Sequence, residues 1–378
     1  MTFQRTALYL LLVLILRPIM AIAQVPSAPA LTAKGYLLLD HNSGRVLAEK
    51  SSTERMEPAS ITKLMTAYVA FNAIKNGQIN IDDEVLISEK AWRTPGSRMF
   101  IEVGTRVSVD LLLQGMIIQS GNDASVAIAE HVAGTEATFA ELMNQTAQNV
   151  GMLNSNYMNS TGLPDADHYT TASDIAMLAN AIIRDFPEYY AWYSQKQFTY
   201  NGITQDNRNA LLWRDPSVDG LKTGYTEAAG YCLVSSAKRE DTRLISVILG
   251  TNSSSARAND SQALLNYGFR FFETRRLYSA DQKVAEERVW YGNPETVSLV
   301  TKEDVYITIP RGSYDNLVAT TSIPAKLEAP LSKQTLVGNL NITLNGKQVA
   351  GIGLYPEINI EETGLFGQLL DWIMLFFE

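Results

Sequence analysis

The chain of 378 residues contains a single cysteine, Cys232, so no intramolecular disulfide braces it. Within the run Tyr231-Cys232-Leu233-Val234 that thiol reads as a small buried hydrophobe, which sets thiol catalysis aside. Histidine is almost as scarce. His41, His131 and His168 lie far apart, and none falls in an H-E-x-x-H or cysteine-paired spacing, so no metal centre and no cofactor is expected. Positive charge is short as well: 31 Lys and Arg face 40 Asp and Glu, and the net charge of −9 disfavours nucleic acid as a partner. Apolar runs are short too, and none reaches the roughly 20 residues of a bilayer span.

What is present begins with a processing signal. Arg5 supplies a positive leader, Ala7 to Leu16 an apolar stretch, and Ala21-Ile22-Ala23 a small-residue cleavage site. Residues 1–23 are therefore expected to be a signal peptide, and the mature chain to start at Gln24. Loss of Arg5 and Arg17 takes the net charge from −9 to −11. Export to a periplasm or cell surface follows, and the mature length suggests two domains.

Gly35 to Asp40 and Arg45 to Ala48 flank the turn-rich His41-Asn42-Ser43-Gly44, which predicts an opening hairpin. Helical spacing of apolar residues follows in Leu64 to Ile74, Leu111 to Ile118, Ala124 to Val132 and Ile175 to Ile183. Strand-like runs return at Gly230 to Ser235 and Arg243 to Leu249, and the pattern implies an α+β domain, a sheet covered by helical layers, over residues 24–285. From 286 to 360 the runs are short and β-like, with Asn345-Gly346 as a hairpin signal, and a small all-β sandwich-like domain is expected. Residues 361–378 read as an amphipathic helix. Gly364, Gln368, Asp371 and Glu378 form a narrow polar stripe opposite Leu365, Phe366, Leu369, Leu370, Trp372, Ile373, Phe376 and Phe377. Too short to span, it is expected to lie on a membrane surface through apolar burial alone.

Three motifs in one order carry the chemistry: Ser60-Ile61-Thr62-Lys63, Ser120-Gly121-Asn122 and Lys222-Thr223-Gly224, separated by 60 and 102 residues. S-x-x-K alone is weak, since it recurs by accident at Ser235-Ser236-Ala237-Lys238. The ordered set describes a serine acyl-transfer site. Pro58-Ala59 before Ser60 reads as a helix start, and three residues on, Lys63 shares its face, about 4.5 Å along the axis. To act as base toward Ser60, Lys63 must lose its proton through burial or neighbouring cations, of which Lys222 is one candidate. Ser120 is placed to relay a proton to a leaving amine and Asn122 to bind a peptide backbone, with Gly121 permitting a tight turn. Lys222 and Thr223 offer donors to a carboxylate, Gly224 lets a substrate approach a strand edge, and backbone N–H groups of Ser60 and Tyr225 suit an oxyanion hole.

S-x-x-K, S-x-N and K-T-G in this order are the signature of class A β-lactamases and penicillin-binding proteins. With Glu57 to Met65, Gly96-Ser97-Arg98-Met99-Phe100, Gln119 to Ala124, Asn207-Arg208-Asn209, Val218-Asp219-Gly220 and Gly268 to Phe272, nearly the whole chain resembles the low-molecular-mass penicillin-binding proteins of the 5 and 6 type. These are serine D-Ala-D-Ala carboxypeptidases. The resemblance implies a β-lactamase/transpeptidase-like catalytic domain, release of the terminal D-alanine of peptidoglycan stem peptides through an acyl-serine, and acylation by β-lactam antibiotics. It implies that Arg208 and Arg257 hold the terminal carboxylate, a task suited to a bidentate guanidinium. It also implies peripheral attachment to the outer face of an inner membrane and a β-domain free to meet a cell-wall protein. Tyr225 and Thr161 stand where several members carry histidine. The competing readings are a serine β-lactamase, for which no deacylating E-x-x-L-N-like glutamate is evident, and a catalytically idle peptidoglycan-binding scaffold.

Overall fold

The computed structural model describes residues 25–377. The expected signal peptide lies outside them, as do Gln24 and Glu378. The hairpin β1 (Gly35–Asp40) and β2 (Val46–Lys50) opens the chain. Helices α1 (Lys63–Lys75), α2 (Asn122–Ala133), α3 (Glu136–Val150) and α4 (Ala172–Asp185) follow. Strands then return as β3 (Val218–Thr226), β4 (Gly230–Arg239) and β5 (Thr242–Thr251), ahead of the long helix α5 (Ser254–Phe271). The five strands make one antiparallel sheet in the order β2-β1-β5-β4-β3, so β1 pairs with β5 across some two hundred residues of sequence.

Side-chain alternation divides that sheet's residues between two cores. Leu38, Leu233, Leu244 and Ile248 point to one face and pack on Leu264 and Leu265 of α5. Leu37, Leu39, Val234, Ile245 and Val247 point to the other and meet Leu64, Ile128 and Ile182 of the helical middle. Because both faces are covered, Leu244 to Leu249 is apolar almost without interruption. Helix α1 is buried nearly all round from Lys63 to Ala73, as its apolar composition requires. Helix α3 was not picked out by periodicity, although Thr135 caps it by accepting from the Thr138 N–H and Phe139, Met143 and Ala147 repeat at four-residue spacing on its buried face.

The second half contains β6 (Phe272–Tyr278), β7 (Lys283–Trp290), β8 (Thr296–Val300), β9 (Val305–Pro310), β10 (Leu317–Ser322), β11 (Leu327–Glu328), β12 (Gly338–Leu344) and β13 (Lys347–Pro356). A six-stranded sheet in the order β10-β12-β13-β8-β7-β11 lies with a β6–β9 ribbon around Val289, Leu299, Ile307, Ile309, Leu340, Ile342 and Leu354. Asn345 and Gly346, both at positive φ, make the turn between β12 and β13. Strand pairing starts earlier than residue 286, where the change of texture was expected. β6 pairs with β9 from Phe272 onward, and β7 begins at Lys283. The charged stretch Asp281 to Arg288, near which the boundary was expected, instead lies largely on β7.

A buried polar seam joins the two halves. Asp40 accepts from the Ser43 N–H at 2.8 Å and from Thr274 Oγ1 at 2.6 Å, Thr274 Oγ1 meets Thr308 Oγ1 at 2.9 Å, and Thr308 Oγ1 meets Ser43 Oγ at 2.6 Å. The chain ends in α6 (Leu365–Leu375), whose Asp371 is only 5% exposed and accepts from Arg288 Nη2 at 2.8 Å and from the Tyr291 N–H at 2.6 Å. The helix thus docks on the β-rich half by its polar stripe. Its apolar face stays bare, with Leu365 87% and Phe377 84% exposed.

The seam predicts a measurable cost. Thr274→Val keeps the volume but leaves the Asp40 carboxylate short of a donor, so chemical denaturation should show a loss of about 1–3 kcal/mol.

Candidate active site

Ser60 does not sit in the first turn of α1 itself. It lies in a short 3₁₀ turn, Ala59–Thr62, directly ahead of the helix, and Lys63 is the first α-helical residue. Lys63 is 1% exposed, and its Nζ lies 3.1 Å from Ser60 Oγ, 2.7 Å from Asn122 Oδ1 and 2.6 Å from the Thr161 carbonyl. As an ammonium it donates to all three. As a free amine it has two hydrogens, enough for Asn122 and Thr161, and its lone pair is left for the Ser60 hydroxyl. Burial, followed by the Arg208 guanidinium, lowers Lys63 to about 7. Sequence offered Lys222 as one candidate for such a cation. Lys222 is itself buried, with Nζ on the Thr223 carbonyl at 3.2 Å, and burial and the charges of Lys63, Arg208 and Arg257 push it well below the ordinary lysine range.

Ser120 ends the helical segment Val109–Gln114 and Gly115–Gln119, and it, not Gly121, takes the left-handed conformation, at φ 69°. Its Oγ is buried and has no hydrogen-bond partner among the described residues. Gly121 serves close packing instead: a Cβ there would meet Asp123 Oδ1 at 2.9 Å and the Met99 nitrogen at 3.2 Å. Asn122 is more occupied than a substrate-facing amide would be. Its Oδ1 holds Lys63, its Nδ2 donates to the Pro95 carbonyl at 2.6 Å, and its N–H donates to the Ser97 carbonyl at 2.7 Å.

The third motif lies on β3, the edge of the sheet, where one row of backbone groups is free of a neighbouring strand. A cavity of about 450 Å³ runs beside it, lined by Ser60, Ser120, Asn122, Thr161, Arg208, Thr223, Gly224, Tyr225 and Arg257 among others. Lys63 and Lys222 are buried behind that lining. Gly224 is required by the protein's own packing, because a Cβ would press on the Pro58 carbonyl at 3.1 Å and on Ala59 and Ile61 at 3.2 Å. It lets the Ser60 turn lie against the strand, a different use from the substrate approach expected of it. Arg257, 8% exposed, reaches in from α5 and donates from Nη1 to the Gly224 carbonyl at 3.0 Å.

The comparisons with known proteins agree with this geometry. The sequence profile of the D-alanyl-D-alanine carboxypeptidases matches residues 22–253, and that of the penicillin-binding protein 5 C-terminal domain matches residues 272–362. The chain belongs to the D-alanyl-D-alanine carboxypeptidase family. It is 44% identical over 365 residues to the D-alanyl-D-alanine carboxypeptidase DacC of Escherichia coli, covering 94% of this chain and 91% of that one. It is 43% identical to DacA of Haemophilus influenzae, covering 92% and 90%. The crystal structure of penicillin-binding protein 5 from Haemophilus influenzae superposes with a TM-score of 0.86 at 42% identity, over 89% of this chain and all of that one. This carboxypeptidase is accordingly a serine hydrolase with a transpeptidase-like catalytic domain followed by a β-domain.

Several residues that hold the carboxypeptidase site were not singled out by sequence. Asp123 is buried and accepts from the N–H groups of Met99 and Phe100 at 3.0 Å and Ile101 at 3.3 Å, which fixes the loop whose Gly96 and Ser97 line the cavity. In the sequence it stands out only as part of the run Gln119 to Ala124 that belongs to the resemblance, with no role attached. His168 Nε2 lies 2.9 Å from Thr62 Oγ1, and burial holds its pKa down at about 4, so a neutral imidazole braces the Ser60 turn. Gly162, at φ 82°, packs so closely that a Cβ would come within 1.8 Å of the Ala59 carbonyl. Gln119 lies beside Arg208, and with its carboxamide oxygen turned to the guanidinium it would accept from Nη2 at 3.2 Å.

The lowered Lys63 sets a pH dependence. If its free amine is the base, acylation by benzylpenicillin should rise with pH through an apparent pKa near 7, level off above it, and fall about tenfold per pH unit below. Arg208→Gln removes a neighbouring positive charge, so the midpoint should move to higher pH in a stopped-flow acylation profile.

Proposed function

We propose that this carboxypeptidase releases the terminal D-alanine of peptidoglycan stem pentapeptides with Ser60 as nucleophile. The observation that carries the reading is the buried Lys63 amine 3.1 Å from Ser60 Oγ, at one end of a cavity that Arg208 and Arg257 make cationic. Lys63 takes the Ser60 proton as Oγ attacks the penultimate carbonyl, and the N–H groups of Ser60 and Tyr225 hold the oxyanion. Ser120, whose buried hydroxyl lacks a protein partner, passes a proton to the departing amine. Thr223 and the two arginines take the free carboxylate with Lys222 buried behind them, while Asn122 keeps Lys63 and the Pro95 loop in place. Water then hydrolyses the ester. A β-lactam acylates the same serine and stays longer. Ser60→Ala should abolish both D-alanine release and fluorescent-penicillin labelling, a drop of at least about a thousand-fold. Labelling that persists at another serine overturns the assignment.

The same reading places the mature chain, residues 24–378, outside the cytoplasm after loss of the signal peptide, with a catalytic domain that runs to the end of α5 at Phe271, residues 272–360 as β-domain and 361–378 as anchor. No helix among the described residues is long and apolar enough to cross a membrane. The exposed apolar face of α6 supports peripheral attachment to the outer face of the inner membrane, with large side chains worth about 1.5–3 kcal/mol each on full burial. The β-domain is then the surface offered to a cell-wall protein. Removal of residues 363–378 should give a soluble enzyme with unchanged peptide hydrolysis, whereas the full-length mature protein should sediment with membranes in high salt. A full-length protein that stays in the soluble fraction removes the anchor.

A further inference from the structure

Behind the carboxylate end of the catalytic cavity lies a second one of about 210 Å³, and Arg208, Thr223 and Arg257 line both. The second cavity adds Arg214 and, from the first turn of α5, Ser254 and Ser255. Arg208, Thr223 and Arg257 therefore stand between two adjacent cavities, and a third guanidinium, Arg214, lines the second. No ion pair among the described residues includes any of them. Arg214 Nη1 donates to the neutral Asn259 Oδ1 at 3.0 Å, and the bonds of the buried Arg257 run from Nη1 to the Gly224 and Cys232 carbonyls, which leaves its Nε and Nη2 without a protein acceptor. The N–H groups of Ser254 and Ser255 also find no acceptor among the described residues, since Ser253 caps the helix through the Ala256 N–H.

A single terminal carboxylate cannot neutralise this cluster. One anion at Arg208 and Arg257 still leaves Arg214 and the N–H groups of Ser254 and Ser255 unpaired on the exposed rim of the second cavity, whose lining holds no carboxylate. We propose that this second cavity is an anion subsite for the side chain of the leaving residue, so that the enzyme also cleaves D-Ala from a C-terminal D-amino acid carrying a second carboxylate. The inference rests on the proposed function and extends its substrate class. The chemistry is unchanged: the Ser60 Oγ–carbonyl bond forms, the amide C–N bond breaks, the departing amino diacid takes the proton relayed from Ser60, and water cleaves the ester. What differs is that the leaving group brings two carboxylates, one for Arg208 and Arg257 and one for Arg214 and the start of α5.

The test uses the full-length mature enzyme and peptides of the form diacetyl-L-lysyl-D-alanyl-D-X. X is D-alanine, D-glutamate, D-2-aminoadipate or D-2-aminopimelate, and each acid is paired with its ω-amide. At least one acid should exceed its amide in kcat/KM by about tenfold or more, an advantage that shrinks as salt is raised. In Arg214→Gln the same acid-to-amide ratio should fall toward one, and Ser254→Pro, which alters the helix entrance without touching a charge, should lower it in part. Hydrolysis of the D-Ala–D-Ala peptide by the same preparations reports that the variants are folded. If that peptide is cleaved while no acid outperforms its amide, or if Arg214→Gln leaves the ratio as it was, the second subsite is overturned and the carboxypeptidase reading stands. If no peptide is cleaved, including D-Ala–D-Ala, both are overturned.

Discussion

Everything at the site turns on one nitrogen held out of water. Lys63 Nζ touches the Ser60 hydroxyl, the Asn122 carboxamide and the Thr161 carbonyl, three segments that come from the Ser60 turn, the start of α2 and the loop after α3. A fully solvated lysine would make none of these bonds reliably and would keep its proton. Burial does two things at once here: it lowers the amine toward 7 and makes each of the three hydrogen bonds costly to lose. The close approaches around it follow from that demand. Gly162 and Gly224 exist as glycines because the Ser60 turn must be clamped between the Thr161 loop and β3 with no room for a Cβ on either side.

The sheet supplies the stiffness for this clamp. With β5 and β4 central and covered on both faces, β3 is fixed along one edge and open along the other, so a peptide can be offered a rigid strand without any rearrangement. Helix α5 then does double duty. Its apolar side closes one core through Leu264 and Leu265, and its first turns deliver Arg257 under the strand.

Motif order was enough to pick out the candidate groups that the structure gathers at one cavity, because S-x-x-K, S-x-N and K-T-G are local patterns legible without tertiary knowledge. Amphipathic spacing was enough for α4, and dense apolar runs were enough for α1 and the strands β1, β4 and β5, since both are local patterns that survive without tertiary knowledge. The assignments that needed correction all depend on long-range neighbours. Whether Gly121 or Ser120 carries the positive φ, whether Gly224 faces substrate or the Ser60 turn, and whether Arg208 or Lys222 lies nearer in effect to Lys63 are decided by segments far apart in the chain. Asp123 and His168 were silent for the same reason: an acidic residue at a helix start and a lone histidine have ordinary explanations until the loops they hold are seen. The early start of the β-rich half was hidden because β6 presents arginines outward while pairing with a strand more than thirty residues later.

The carboxylate of Asp371 has a geometric consequence beyond its two hydrogen bonds. A helix held only by greasy contacts can roll about its axis, but one pinned through a single buried acid to Arg288 and the Tyr291 amide has its rotational phase set. The row of Leu365, Phe366, Trp372, Phe376 and Phe377 is thereby aimed in one direction relative to the β-strands before anything covers it. The molecule carries a keel, with a defined underside, where a loose tail would have given it only a leash.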